Sequence, residues 1–182
     1  MRHLALISLS FVIFSSKGDD DRAAKQQDCV ESCKEDSQKR LGDHCYYWST
    51  ARKSWQNCEY HCQGEDGHLA AVTSLEIHNF LMKKVNKGDR DTWFWIGGYD
   101  QGQEGKWRWT DGSAWNFTIW ADEPFEQPNN LVNNQDCLQI YHDEYAQNGW
   151  NDEGCLSHFP FICIWRICPG MAFFIIREKC FH

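Results

Sequence analysis

Apolar residues are spaced very differently along the chain. An unbroken apolar run from Leu4 to Phe14 opens it, and residues 19–44 are polar with little periodicity. From His44 the pattern tightens. His44-Cys45-Tyr46-Tyr47-Trp48-Ser49 reads as a short aromatic strand. Thr50 to Cys62 then reads as a helix capped by Ser49 or Thr50, with Trp55, Cys58 and Cys62 on one face, and Gly64 and Gly67 end it. Thr73-Ser74-Leu75-Glu76 has the form of a capping box, in which hydroxyl and carboxylate each satisfy a free backbone N–H. The helix it starts has a predicted buried stripe of Ile77, Phe80, Leu81 and Val85, and Gly88 closes it.

The rest reads as strand and loop. Thr92–Gly97, Lys106–Thr110, Cys137–Tyr141 and Pro160–Trp165 are β-rich segments bounded by Gly, Asp and Asn. Trp95, Trp107 and Trp109 fit a buried strand face. Between the second and third segments lie roughly 26 residues without periodicity, and loops of that length in a compact domain are usually functional. Two helices followed by several short antiparallel strands make an α+β domain.

Composition adds a compartment. Arg2 and His3 before the apolar run, with Ser16-Lys17-Gly18 after it, form the layout of a secretory signal peptide, so residues 1–18 are expected to be removed. No later stretch approaches about 18 uninterrupted apolar residues, so no membrane span is predicted. Ten cysteines in an exported chain read as a disulfide framework. Cys58, Cys62 and His61 cluster, but no second pair follows at zinc-ligand spacing. A formal charge of −8 leaves no basic stripe for nucleic acid, and Asp19-Asp20-Asp21 reads as a solvated run.

Taken in order, these landmarks resemble the C-type lectin-like domain over roughly Cys33 to Trp165. The matching pieces are Cys62 with Gly67-His68-Leu69-Ala70, Trp95-Ile96-Gly97-Gly98, Trp107-Arg108-Trp109 with Asp111-Gly112, Gln127-Pro128-Asn129, Asp136-Cys137, Trp150-Asn151-Asp152, Cys155, and Pro160-Phe161-Ile162-Cys163. The wording from Gly42 to Thr50 is similar to soluble fish lectins of this family, the galactose-specific type among them. The implied fold has two helices, two small antiparallel sheets and a long ligand-binding loop. The implied division is an N-terminal extension at 19–32, the lectin domain at 33–165 and a C-terminal tail of unassigned role at 166–182. The resemblance also implies the disulfides Cys62–Cys163, Cys137–Cys155 and Cys33–Cys45. It leaves Cys29, Cys58, Cys168 and Cys180, for which a Cys58–Cys168 bond and an intermolecular link through Cys29, Cys168 or Cys180 both stand open.

The same resemblance assigns chemistry to the loop. Gln127, Asn129, Gln135, Asn151 and Asp152 match the family's sugar-binding Ca2+ site, with Pro128 at the position that is cis there. Calcium takes oxygen ligands from carboxylates, amides, backbone and water, which these residues supply. The family's better-known motifs pair one carboxylate with one amide, whereas both residues flanking Pro128 are amides here and Gln135 replaces a Glu. Weaker calcium binding than a three-carboxylate site is therefore expected. Amides donate and accept, so the glycan preference, galactose or mannose type, is open with a lean to galactose. Trp120 and Trp150 are candidates for a ring against the sugar, Trp150 being the better core residue. Asp100, Glu104, Asn130 and Asp136 match an auxiliary calcium site of some relatives. Asn116-Phe117-Thr118 is an N-glycosylation sequon.

Rival functions are narrower. The chain has no His-Glu-x-x-His helix, nucleophile elbow or phosphate-cradling loop, and Asp122, Glu123 and Glu126 stand on a loop ill suited to a fixed glycosidase pair. Catalysis is not expected. Ice binding or protein binding, known among relatives of this fold, is the alternative.

Overall fold

The computed structural model describes residues 30, 32–33, 38–85, 93–122, 126–141 and 149–168. Residues 1–18, expected to be a signal peptide, and Asp19–Asp21, Cys29, Gly88, Glu123, Cys180 and the tail after Cys168 lie outside them. Along the described chain the elements are β1 (Gln38–Leu41), β2 (His44–Lys53), α1 (Trp55–Gln63), β3 (His68–Leu69), α2 (Leu75–Val85), β4 (Trp93–Tyr99), β5 (Arg108–Trp109), β6 (Cys137–Tyr141), β7 (Gly149–Glu153) and β8 (Phe159–Arg166). A 3₁₀ turn at Leu131–Asn133 lies between β5 and β6.

Among the described residues the strands run in the order β1-β2-β8-β4-β6-β7, with β3 on β8 and β5 on β4. The expected two small sheets are joined into one. Each half is antiparallel, and the seam is a parallel pairing at Trp95 and Phe161. Trp95 and Phe161 are both fully buried, so the two halves share a core at the point where they meet. One apolar cluster packs Trp48, Leu81, Ile96, Leu138 and Trp150 among others, and a second surrounds Cys62–Cys163 with Trp55, Leu69 and Trp165.

Helix α1 starts five residues later than the pattern predicts. Ser49 is used elsewhere: its Oγ accepts the Ala51 N–H (3.2 Å) where the β2–β8 register shifts between Ser49 and Lys53. The strand resumes with Lys53 opposite Phe159, and the helix begins only after Ser54. The Ser54 side chain makes no cap; the Trp55 N–H donates to the Cys155 carbonyl instead (3.0 Å). The buried face of Trp55, Cys58 and Cys62 is as the spacing predicts.

Helix α2 is shifted as well. Ser74, one position later than Thr73, accepts the Ile77 N–H at its Oγ (3.3 Å), which puts Ile77 where a capping box needs a carboxylate. The buried stripe is His78, Leu81, Met82 and Val85, with Ile77 and Phe80 only half-buried. Burial pushes the His78 imidazole below its ordinary value.

Three disulfides staple the described frame: Cys33–Cys45, Cys62–Cys163 and Cys137–Cys155, with Cα–Cα separations of 5.4, 5.6 and 5.2 Å. A Cys58–Cys168 bond is excluded. Cys58 is a free, buried thiol 3.6 Å from the Lys53 carbonyl, and burial pushes its pKa up to about 12. Cys168 is itself disulfide-bonded, which withdraws it from any intermolecular link. Cys62, being paired with Cys163, is no zinc ligand.

Candidate functional site

The long loop is hung on the outer edge of β7. The Trp150 N–H donates to the Ile119 carbonyl (2.8 Å), the Ala121 N–H to the Trp150 carbonyl (3.0 Å), and the Gln127 N–H to the Ala121 carbonyl (2.9 Å). Gly149 is required there, because a Cβ would stand 2.7 Å from the Ala121 nitrogen. Below the loop, Trp107, Trp109, Trp115, Trp120 and Trp150 form a continuous aromatic cluster, the last four having neighbouring centroids within 4.7–6.4 Å. Trp150 is fully buried and cannot meet a sugar; Trp120 is half-buried.

Asp152 is the central residue. It sits in β7 opposite Leu138, fully buried, and its carboxylate accepts the Asn129 N–H (3.0 Å) at Oδ1 and the Asn130 N–H (2.6 Å) at Oδ2. One side chain thus fixes the backbone immediately after Pro128, and the Gln127–Pro128 bond is cis. Asn151 is also buried, and its amide donates to Gln139 Oε1 (3.2 Å), which directs Asn151 Oδ1 away from Gln139.

Beyond Asn129 the loop closes on its own side chains. The Leu131 N–H donates to Gln135 Oε1 (2.6 Å), and the Gln135 N–H to Asn130 Oδ1 (3.1 Å). Asn130, Val132 and Asn133 have φ of 41°, 55° and 53°. For Asn this is ordinary, but for a β-branched residue it is strained by about 1–3 kcal/mol. That strain sits at the loop tip, where Leu131 and Val132 are the most exposed apolar residues of the loop (63% and 83%).

Negative charge gathers beside the loop. Asp152 is a buried carboxylate whose hydrogen bonds come from neutral amides. Burial first, then the like charges of Asp136 and Asp152, hold the Asp100 carboxyl above its ordinary value. Partial desolvation and then the charges of Asp100, Asp136 and Asp152 raise Glu104. Asp100 Oδ2 accepts the Gly105 N–H (2.7 Å), while its Oδ1 and Gln127 Oε1 are buried without a hydrogen-bond partner. An unpartnered carboxylate oxygen coupled to the Asp136 and Asp152 charges, and an unpartnered amide oxygen in the loop, are each groups that a hard, oxygen-seeking ion would satisfy. The donors are mostly amides: among the described residues no three His, Cys, Asp or Glu groups stand at metal-holding separation.

Each residue predicted for the primary site borders this loop or β7. Of the auxiliary set, Asn130 donates from its amide nitrogen to Glu104 Oε2, and the Asp136 carbonyl accepts the Asp100 N–H (3.2 Å). Asn130 therefore offers Glu104 a donor. Asp122, Glu126 and the sequon residues Asn116 and Thr118 are exposed. Gln139 was missed by the sequence reading. Fully buried and paired with Asn151, it was detectable as a polar residue inside the otherwise apolar Cys137–Tyr141 strand.

Comparison with known proteins bears on the family and the fold. A family model described as the Lectin C-type domain matches residues 51–164. The chain is 35% identical over 150 residues to the alpha-N-acetylgalactosamine-specific lectin of Patiria pectinifera, covering 78% of this chain and 87% of that one. It is 34% identical over 130 residues to C-type lectin domain family 4 member F of Mus musculus, covering 69% of this chain but only 22% of that protein. Among solved structures it is similar to the C-type lectin CEL-I from Cucumaria echinata, with a TM-score of 0.65 at 27% identity, covering 73% of this chain and 97% of that one. It is also similar to a calcium-independent type II antifreeze protein, with a TM-score of 0.61 at 25% identity, covering 73% and 94%.

Proposed function

This chain belongs to the C-type lectin domain family, and we propose that it is an exported, calcium-dependent lectin that binds glycans of galactose type. Its relatives are lectins, carbohydrate binders rather than enzymes. The observation that carries the calcium reading is the buried Asp152 carboxylate gripping the Asn129 and Asn130 amides while Gln127 Oε1 is left buried and unpartnered. Gln127, Asn129, Gln135, Asn151 and Asp152 are the residues that would hold the ion. Bound calcium would offer open coordination positions to neighbouring sugar hydroxyls, while the flanking amides hydrogen-bond them. Gln135 Oε1 already accepts the Leu131 N–H and keeps one lone pair for this purpose.

The galactose assignment is supported by Gln127 and by the N-acetylgalactosamine specificity in the name of the Patiria relative. An auxiliary ion at Asp100, Glu104, Asn130 and Asp136 is part of the same proposal, supported by the like charges that raise the Asp100 and Glu104 carboxyls. Export is supported by the Arg2–Gly18 leader and the disulfides, and Asn116 would carry a glycan on an exposed part of the loop. Among the described residues no helix is long and apolar enough to cross a membrane.

The experiment is retention on immobilised galactose and mannose followed by a calcium chelator. Retention on galactose with release by chelator is the expected result. The likeness to an antifreeze protein keeps ice binding as a second reading: no retention on either resin, together with thermal hysteresis, would replace the lectin assignment.

A further inference from the structure

Strand β6 carries one side-chain amide among buried neighbours. Cys137, Leu138, Gln139, Ile140 and Tyr141 are all buried, and Gln139 is fully so. In the antiparallel β6–β7 ladder Gln139 stands opposite Asn151, and on its other side β4 sets Trp95 against it. Residues directly opposite in such a ladder carry their side chains on the same face, within reach of each other. The Asn151 amide nitrogen donates to Gln139 Oε1 (3.2 Å).

Keeping an amide at this position opposes stability. Gln139 Nε2 is buried and has no hydrogen-bond partner among the described residues. An amide N–H taken out of water without an acceptor is destabilising, and an apolar side chain of similar length would not carry that cost. What Gln139 supplies, and an apolar chain cannot, is an acceptor for Asn151.

That acceptor decides which way Asn151 is turned. Each amide has a donor end and an acceptor end, so the pair could reverse, with Gln139 Nε2 donating to Asn151 Oδ1, and still form one bond. Only the observed orientation suits a cation. It commits Asn151 Nδ2 to Gln139 and leaves Oδ1 available, whereas the reversed one would leave N–H groups in its place. Asp152, next along β7, is oriented separately, by the Asn129 and Asn130 N–H groups.

We propose that Gln139 is a positioning residue: through Oε1 it fixes the Asn151 amide so that the Asn151 oxygen is free to ligate calcium. This rests on the calcium reading above and adds to it a residue that would touch neither the ion nor the sugar. Outer partners of a metal ligand are worth about tenfold or more in metal affinity.

The test compares two variants in the full chain. Gln139→Met keeps an unbranched side chain but removes the amide, and Gln139→Glu keeps an acceptor at the same atom. In chelator, one Asn151 Nδ2 hydrogen should exchange slowly by NMR in the unaltered protein and in Gln139→Glu, and rapidly in Gln139→Met. That readout needs no ion. Calcium titrated by calorimetry should bind Gln139→Met about tenfold more weakly, and Gln139→Glu as tightly as the unaltered chain or tighter. Thermal melting in chelator should not fall for Gln139→Met, because the unpaired buried N–H group is gone. Unchanged exchange and calcium affinity in Gln139→Met, or weakened affinity that Gln139→Glu fails to restore, would overturn the role given to Gln139. An unaltered chain that binds no calcium would overturn the calcium reading and the proposal with it, and an intact exchange pattern then tells the two failures apart.

Discussion

The β2–β8–α1 half of the molecule and the loop that carries Gln127 are held by different physics. In the first, Trp55, Leu69, Trp95, Phe161 and Trp165 are buried around Cys62–Cys163, so hydrocarbon and a covalent bond do the work. In the second, the polypeptide is held by backbone hydrogen bonds to β7, by the Asp152 carboxylate and by the Asn130–Gln135 clasp. The first half is closed by its own packing and its disulfide. The second leaves buried polar oxygens without partners and carboxylates near one another. On the proposed function, stability and recognition belong to separate parts of one sheet.

Four changes probe that division. The largest effect is expected from Cys62→Ala with Cys163→Ala. The pair closes a sequence separation of 101, for which a chain-entropy estimate is about 4.7 kcal/mol, and the loss should appear as a large drop in melting temperature. Asp152→Asn should cost less, about 1–3 kcal/mol for one weakened buried acceptor, yet abolish chelator-sensitive retention on galactose. If it lowers the melting temperature as far as the cysteine variant does, frame and loop are one unit and the division fails.

Gln127→Glu adds a carboxylate to the amide-rich shell. Calcium affinity should tighten about tenfold, equivalent to about 1.4 kcal/mol, measured by calorimetric titration. The unaltered protein should bind calcium more weakly than micromolar, and a micromolar or tighter constant would contradict the effect assigned to the amides.

The smallest effect concerns pH. The Asp100 carboxyl is raised in the folded state, so the folded protein binds that proton more tightly than the unfolded chain. In chelator, stability should rise as pH falls from the raised value towards the unfolded value near ~4, and the contribution should be constant below it. Asp100→Asn has no such titration. The gap in melting temperature between it and the unaltered protein should narrow over that window, and a gap independent of pH would remove Asp100 from the account.

Much of the frame was legible because its signals are local. Cys137–Tyr141 was recognisable from its composition, and Trp55, Cys58 and Cys62 from their spacing. Errors arose where distant partners decide a local outcome. Ser49 looks like a helix cap, but a bulge against β8 takes its hydroxyl, and the first N–H of α1 is satisfied by Cys155, a hundred residues away. In the loop, the donor residues could be named from the sequence. That Asp152 would spend both oxygens on amides 22 and 23 residues upstream could not. Nor could the clasp that makes Val132 tolerate a positive φ, because it needs Asn130 and Gln135 to meet in space.

The Cys137–Cys155 bond has a practical reach. It ties the start of β6 to the turn beyond β7, so the register of the hairpin beneath the loop is held covalently. Residues 127, 129 and 135 can then be randomised among amides and acids with little risk to the strands below. The domain is in that sense a display scaffold: a library at three codons, sorted on immobilised sugars, would sample new specificities from a fixed foundation.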